Sequence, residues 1–144
     1  MSHQNKKWNA RVKKEAIIQP LELATKRLHR ESSICAAFLH GSAAKGCLRP
    51  ESDIDIAILP MPRTKISLMD RLSLAGELEL ILRRPVDLGV LSTSNLIYVK
   101  EVIEHGELLF TKDSFLSDRF TATALSMYAD LQQDRKEVLH AYSI

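Results

Sequence analysis

Aromatic side chains are scarce in this sequence: Phe, Trp and Tyr together make up 6% of its 144 residues. The core must therefore be built from aliphatic side chains. Cysteine is scarcer still. Cys35 and Cys47 are the only two, too few for a disulfide framework or a zinc site. With 5 Gly and 5 Pro, there is no flexible linker to divide the chain and no low-complexity segment. It reads as one domain over residues 1–144, with 1–10 a loose tail. No stretch approaches the roughly 18 consecutive apolar residues of a membrane span, and the longest clean apolar run is Ile34 to Leu39. The basic N-terminus, Met-Ser-His-Gln-Asn-Lys-Lys, lacks the apolar run that a signal peptide requires. A cytoplasmic protein with no membrane association is expected.

A chain of this length can bury about 70% of the surface that its unfolded form exposes. The net charge of +2 says less than its distribution. Residues 1–50 carry 10 Lys+Arg against 3 Asp+Glu, while residues 51–144 carry 10 against 15. Such asymmetry suits an anionic ligand or an oppositely charged partner. Lys6, Lys7, Lys13 and Lys14 are read as a solvated basic tail.

Hydrophobic periodicity predicts alternating elements. A first helix ends near Arg30, beginning near Val12 or Pro20. Ile34–Leu39, bounded by Ser32-Ser33 and Gly41, has the pattern of a buried strand. Ile54, Ile56 and Ile58 alternate with Asp53, Asp55 and Ala57, which describes a second strand with two unlike faces. Residues 66–82 read as a helix with Leu68, Leu72, Ala75, Leu78 and Leu82 on one stripe. Residues 86–91 form a third strand. Ser92 to Ser94 should cap a helix over 95–104, stopped by Gly106. A short strand over 107–110 precedes a long C-terminal helix over 113–142. That helix carries Leu116, Phe120, Thr123, Met127, Leu131 and Val138, with Phe120 and Tyr128 as candidates to meet a partner. The fold class is α/β: a small mixed β-sheet packed by helices.

The segment with chemical content is His40-Gly-Ser-Ala-Ala-Lys-Gly-Cys-Leu-Arg-Pro-Glu-Ser-Asp-Ile-Asp55. Gly41 lets backbone N–H groups approach a phosphate closely, and a helix starting at Ser42 would add partial positive charge. Lys45 and Arg49 can neutralise further phosphate charge. Asp53 and Asp55, two apart on a strand, share a face, where like charges repel and one carboxyl resists ionisation. A Mg²⁺ ion removes that penalty and prefers carboxylates together with phosphate oxygens. Asp87, an acid within the apolar run Val86-Asp-Leu-Gly-Val90, is expected to be buried and to complete the set, as a metal ligand and as general base on an incoming hydroxyl. A structural ion pair after Arg83-Arg84 is the competing reading. Ser42 lacks the frame of a nucleophilic serine, and His40 is assigned a structural role. His29, His105 and His140 share no metal-ligand spacing.

This segment resembles the Gly-Ser-x10-Asp-x-Asp signature of the DNA polymerase β-like nucleotidyltransferase superfamily, with Gly41, Ser42, Asp53 and Asp55 in place. The short form is similar to the minimal nucleotidyltransferases, and within them to the MntA-type antitoxins encoded beside HEPN ribonuclease toxins. Similarity is good over residues 30–111. That resemblance implies the nucleotidyltransferase fold, ATP with Mg²⁺ as cofactor, and AMP transfer to a tyrosine hydroxyl of a HEPN-type toxin, in a hetero-oligomer without direct nucleic-acid binding. It assigns Asp53, Asp55 and Asp87 to catalysis and metal, and Gly41, Ser42, Lys45 and Arg49 to the nucleotide. The family often carries Arg where this chain has Ala43 or Lys45, and Lys gives up bidentate phosphate contact. The rival readings are a small-molecule nucleotidyltransferase of the aminoglycoside-modifying kind and a non-catalytic binding antitoxin.

Overall fold

The computed structural model describes residues 18–46 and 52–142. The sequence readings for the tail 1–10, Cys47 and Arg49 lie outside the described residues.

Residues 18–29 are helical (α1) and run through Pro20. The elements that follow are β1 (Ile34–His40), the single turn α2 (Gly41–Ala44), β2 (Ile54–Pro60), α3 (Leu68–Leu82), β3 (Val86–Val90), α4 (Leu96–His105), β4 (Glu107–Thr111) and α5 (Ser114–Tyr142). The strands form one sheet in the order β3-β2-β1-β4. β1 runs antiparallel to both β2 and β4, and β2 runs parallel to β3. The mixed sheet expected from the sequence is therefore present. β1 is central and loses water on both faces, which explains its unbroken apolar run.

The sheet separates two cores. On one face Ile54, Ile56, Ile58 and Leu39 pack with Ala24 and Leu28 of α1 and Leu74, Leu78 and Leu82 of α3. On the other, Cys35, Ala57 and Leu59 pack with Val99 and Val102 of α4 and Ala124 of α5. Cys35 is a small core hydrophobe whose thiol burial pushes up in pKa.

Two sequence expectations need correction. In α3 the buried stripe is Leu74, Leu78 and Leu82, whereas Leu68 and Leu72 are 59% and 57% exposed. Leucines recur all round this helix, so the sequence offers more than one apolar arc, and only the arc facing the sheet is buried. Its N-terminus behaves as capping chemistry dictates: Ser67 Oγ accepts the Asp70 N–H at 3.0 Å. In α4 the expected serine cap is absent. Asn95 holds the cap position without a side-chain bond, because Ser92 Oγ accepts from the Ser94 N–H and pairs with the Ser94 hydroxyl in a local turn. In α5 the two candidates to meet a partner, both half-buried, also make contacts within the chain. Phe120 packs on the second core. Tyr128 lies under the Lys100 ammonium, 4.6 Å from its ring centroid, and takes a hydrogen bond from Gln132. Phe115, Leu125, Met127, Val138, Leu139 and Tyr142 are the exposed large apolar residues of that helix. No helix among the described residues is long and apolar enough to cross a membrane.

Candidate active site

β1, β2 and β3 present one row of side chains at the end where β1 finishes and β2 and β3 begin. His40 stands opposite Asp55 across the antiparallel pair, and Asp55 stands opposite Asp87 across the parallel pair. Cross-strand partners lie on the same face of a sheet, so His40, Asp55 and Asp87 form a line across three strands. Asp53 precedes β2, and exposure alternates from Asp53 (exposed) through Ile54 (buried) to Asp55 (half-buried). The expected separation of an acid face from an isoleucine face is therefore observed.

Asp87 differs from its expectation. It is exposed, not buried. β3 is an edge strand, and this end of it leaves the carboxylate in water while Val86 and Leu88 point into the core.

Burial raises the Asp55 carboxyl above its ordinary pKa, His40 pulls the other way, and the neighbouring charges of Asp87 and Asp53 add to the rise. The self-repulsion inferred from spacing is present, but desolvation exceeds it. Burial likewise lowers the His40 imidazole, against the pull of Asp55 and Asp87.

The turn after β1 is fitted to this row. Gly41 has φ of +68°, the left-handed region that glycine occupies without penalty. A Cβ there would also overlap Asp55 Oδ2. Glycine is thus required twice over, by the turn and by the carboxylate lying against its Cα. The helical turn begins at Gly41, one residue before the expected Ser42, and Ala43 anchors it in the core. Ser42 is half-buried, and Lys45 stands exposed at the end of the turn.

Sequence reasoning missed Tyr98. It reaches from α4 over the sheet, and its hydroxyl lies 3.1 Å from His40 Nε2. The rings meet edge to face, with centroids 5.5 Å apart. Burial, then the charges of Asp87 and Asp55, push the Tyr98 phenol up to about 12. Its hydroxyl rests on Gly89, where any Cβ would collide with it. A glycine inside a strand marks a close approach, and that was the available signal.

The match to known families agrees with this geometry. Residues 22–115 match the family described as polymerase beta, nucleotidyltransferase. The chain belongs to that nucleotidyltransferase family. The matched stretch contains every residue of the acid row and stops just inside α5. The chain is 29% identical over 102 residues to the protein adenylyltransferase MntA of Shewanella oneidensis, a match covering 71% of each chain. Among solved structures it is similar to a toxin-antitoxin crystallised with AMP-PNP, at a TM-score of 0.69 and 26% identity, covering 85% of this chain and 98% of that one. The fold is also shared by a complex of a tri-AMPylated Shewanella oneidensis HEPN toxin with its MNT antitoxin, at a TM-score of 0.61 and 23% identity, covering 94% and 99%. The nucleotidyltransferase fold read from the sequence is therefore established, and the reaction class is nucleotidyl transfer.

Proposed function

We propose that this nucleotidyltransferase is a cytoplasmic antitoxin that transfers AMP from ATP to a tyrosine hydroxyl of a HEPN-type toxin, with which it forms a hetero-oligomer. The observation that carries the proposal is the Gly41-Ser42 turn seated against Asp55, with Asp87 opposite in register, in a chain similar to a protein adenylyltransferase.

The backbone and hydroxyl of Gly41-Ser42 bind phosphate oxygens, and Lys45 neutralises their charge from the end of the turn. Arg49 is assigned the same task from sequence alone. Among the described residues no group of three or more His, Cys, Asp or Glu side chains is placed to hold a metal ion. The row does suit Mg²⁺, which takes one or two carboxylates and completes its shell with phosphates and water. Desolvation and the neighbouring charges already oppose the charged form of Asp55, and a cation would relieve both. Asp53 and Asp55 would hold the ion; the sequence also offers Asp87 as a ligand, but the three carboxylates are not grouped closely enough here to share one ion. When bound, it supplies positive charge where the phosphates crowd together.

Asp87, exposed at the sheet edge, is reachable by a hydroxyl carried on another protein. It accepts the proton of the acceptor tyrosine. The tyrosine oxygen forms its bond to the α-phosphorus, the bond to the β-phosphate bridge breaks, and pyrophosphate leaves.

Intact mass of a HEPN toxin, after incubation with this chain, ATP and Mg²⁺, tests the proposal. Addition of one or more AMP groups is the expected result. Neutralisation with unchanged toxin mass would identify a binding antitoxin instead. Unaltered toxin with AMP added to a small hydroxylated molecule would place the chain with the aminoglycoside-modifying kind.

A further inference from the structure

His40 occupies a mechanically sensitive position. It is the last residue of β1 and the N-cap of α2, so its backbone leads directly into the Gly41 turn. Its side chain stands beside Asp55 in the cross-strand row. The cap itself provides no side-chain hydrogen bond to the turn. The ring is held instead from across the fold, by the Tyr98 hydroxyl at 3.1 Å. Tyr98 has little freedom of its own, since its hydroxyl is seated on Gly89, two residues along β3 from Asp87. The neighbouring Val99 and Val102 are fully buried and fix α4 to the sheet. No buried side-chain polar atom among the described residues lacks a partner. A single tyrosine therefore touches β1 through His40 and β3 through Gly89, spanning β2, the strand that carries Asp55, with Asp87 two residues from its β3 contact.

Resting on the metal-nucleotide assignment above, we infer that Tyr98 and His40 are a positioning pair that sets the acid row against the phosphate-binding turn. Neither residue touches the reacting atoms. Tyr98 keeps the His40 ring in one place, and His40 in turn fixes both the entry to the Gly41 turn and the flank of Asp55. Sites of this kind lose rate steeply when a supporting contact is removed, because a misplacement of about 1 Å costs roughly 10²-fold. The pair acts on the meeting of metal and phosphate, so its removal should weaken the Mg²⁺-dependent part of ATP binding more than the part that the Gly41 turn supports without metal.

The test is a double-mutant cycle with Tyr98→Phe and His40→Ala. Two quantities are read by calorimetry: ATP affinity without divalent metal, and the gain in affinity on adding Mg²⁺. Tyr98→Phe keeps the ring and its packing, so melting temperature should stay within a few degrees. The metal-free affinity should fall by less than the Mg²⁺-dependent gain. The Mg²⁺-dependent gain should fall by about 10-fold, with a matching fall in AMP transfer, well inside the loss that misplacement can cause. The double variant should be no worse than the poorer single variant, since both remove one contact. An unchanged Mg²⁺-dependent gain in Tyr98→Phe, or additive losses in the double variant, would overturn the inference while leaving the proposed function standing. Wild-type protein that gains ATP affinity with Mg²⁺ yet transfers no AMP would overturn the proposed function, and the cycle on binding would still decide the pair. Absence of any Mg²⁺-dependent gain in the wild type would overturn both.

Discussion

The two faces of β2 are made from the same seven residues and do opposite work. Toward α1 and α3 it presents Ile54, Ile56 and Ile58, each 0% exposed. Toward α4 and α5 it presents Asp55, Ala57 and Leu59, so that this face is apolar at one end and acidic at the other. The sealed face pulls β2 into the sheet and fixes its register. The mixed face can then hold a carboxylate in a half-buried place that, on its own, disfavours its charge. Fold and chemistry thus occupy alternate residues of one strand, and substitutions on the two faces should fail differently.

The largest separation is expected from Asp53→Asn. It removes a proposed metal ligand from an exposed position, so transfer should fall about 10³-fold or more, the several kcal/mol that metal charge stabilisation is worth. Melting temperature should hold, and single-turnover transfer beside calorimetric melting checks both. Asp87→Asn comes next. Loss of a general base costs about 10²–10⁴ in rate, while ATP binding persists. Raising the pH should recover part of the rate, as the acceptor tyrosine approaches its pKa of about 10. ATP titration and transfer at two pH values check this, and loss of ATP binding would make Asp87 chiefly a ligand. Ile56→Ala probes the other face. It should cost about 2–5 kcal/mol in urea unfolding, with transfer per folded molecule unchanged.

How much of this was legible follows the same division. The isoleucine alternation, the apolar run of β1 and the Gly-Ser to Asp-x-Asp spacing are local patterns, and the sheet uses them as the sequence suggests. The parallel pairing that sets Asp87 opposite Asp55 is a long-range fact. The sequence supplied a third acid but placed it in the interior, because an apolar run does not reveal that its strand lies at an edge. The buried arc of α3 was misread where leucine occurs all round the helix. Tyr98 was missed because its significance depends on Gly89 and His40, which lie on two other elements. Gly41 was singled out for phosphate approach, whereas its φ and its contact with Asp55 already demand glycine before any ligand arrives.

The most direct test is Asp55→Asn, followed by melting temperature across pH and by AMP transfer. The folded protein holds the Asp55 proton more tightly than the unfolded chain, burial being the first cause. The wild type should therefore lose stability as pH rises from the ordinary carboxylate range, about 3.9 for aspartate, through the raised folded value. Asparagine removes that loss. The variant should melt at or above the wild type at pH 7, lack this part of the pH dependence, and transfer no measurable AMP to its toxin. A variant that melts lower and still transfers AMP near the wild-type rate would contradict the assignment of this face to chemistry.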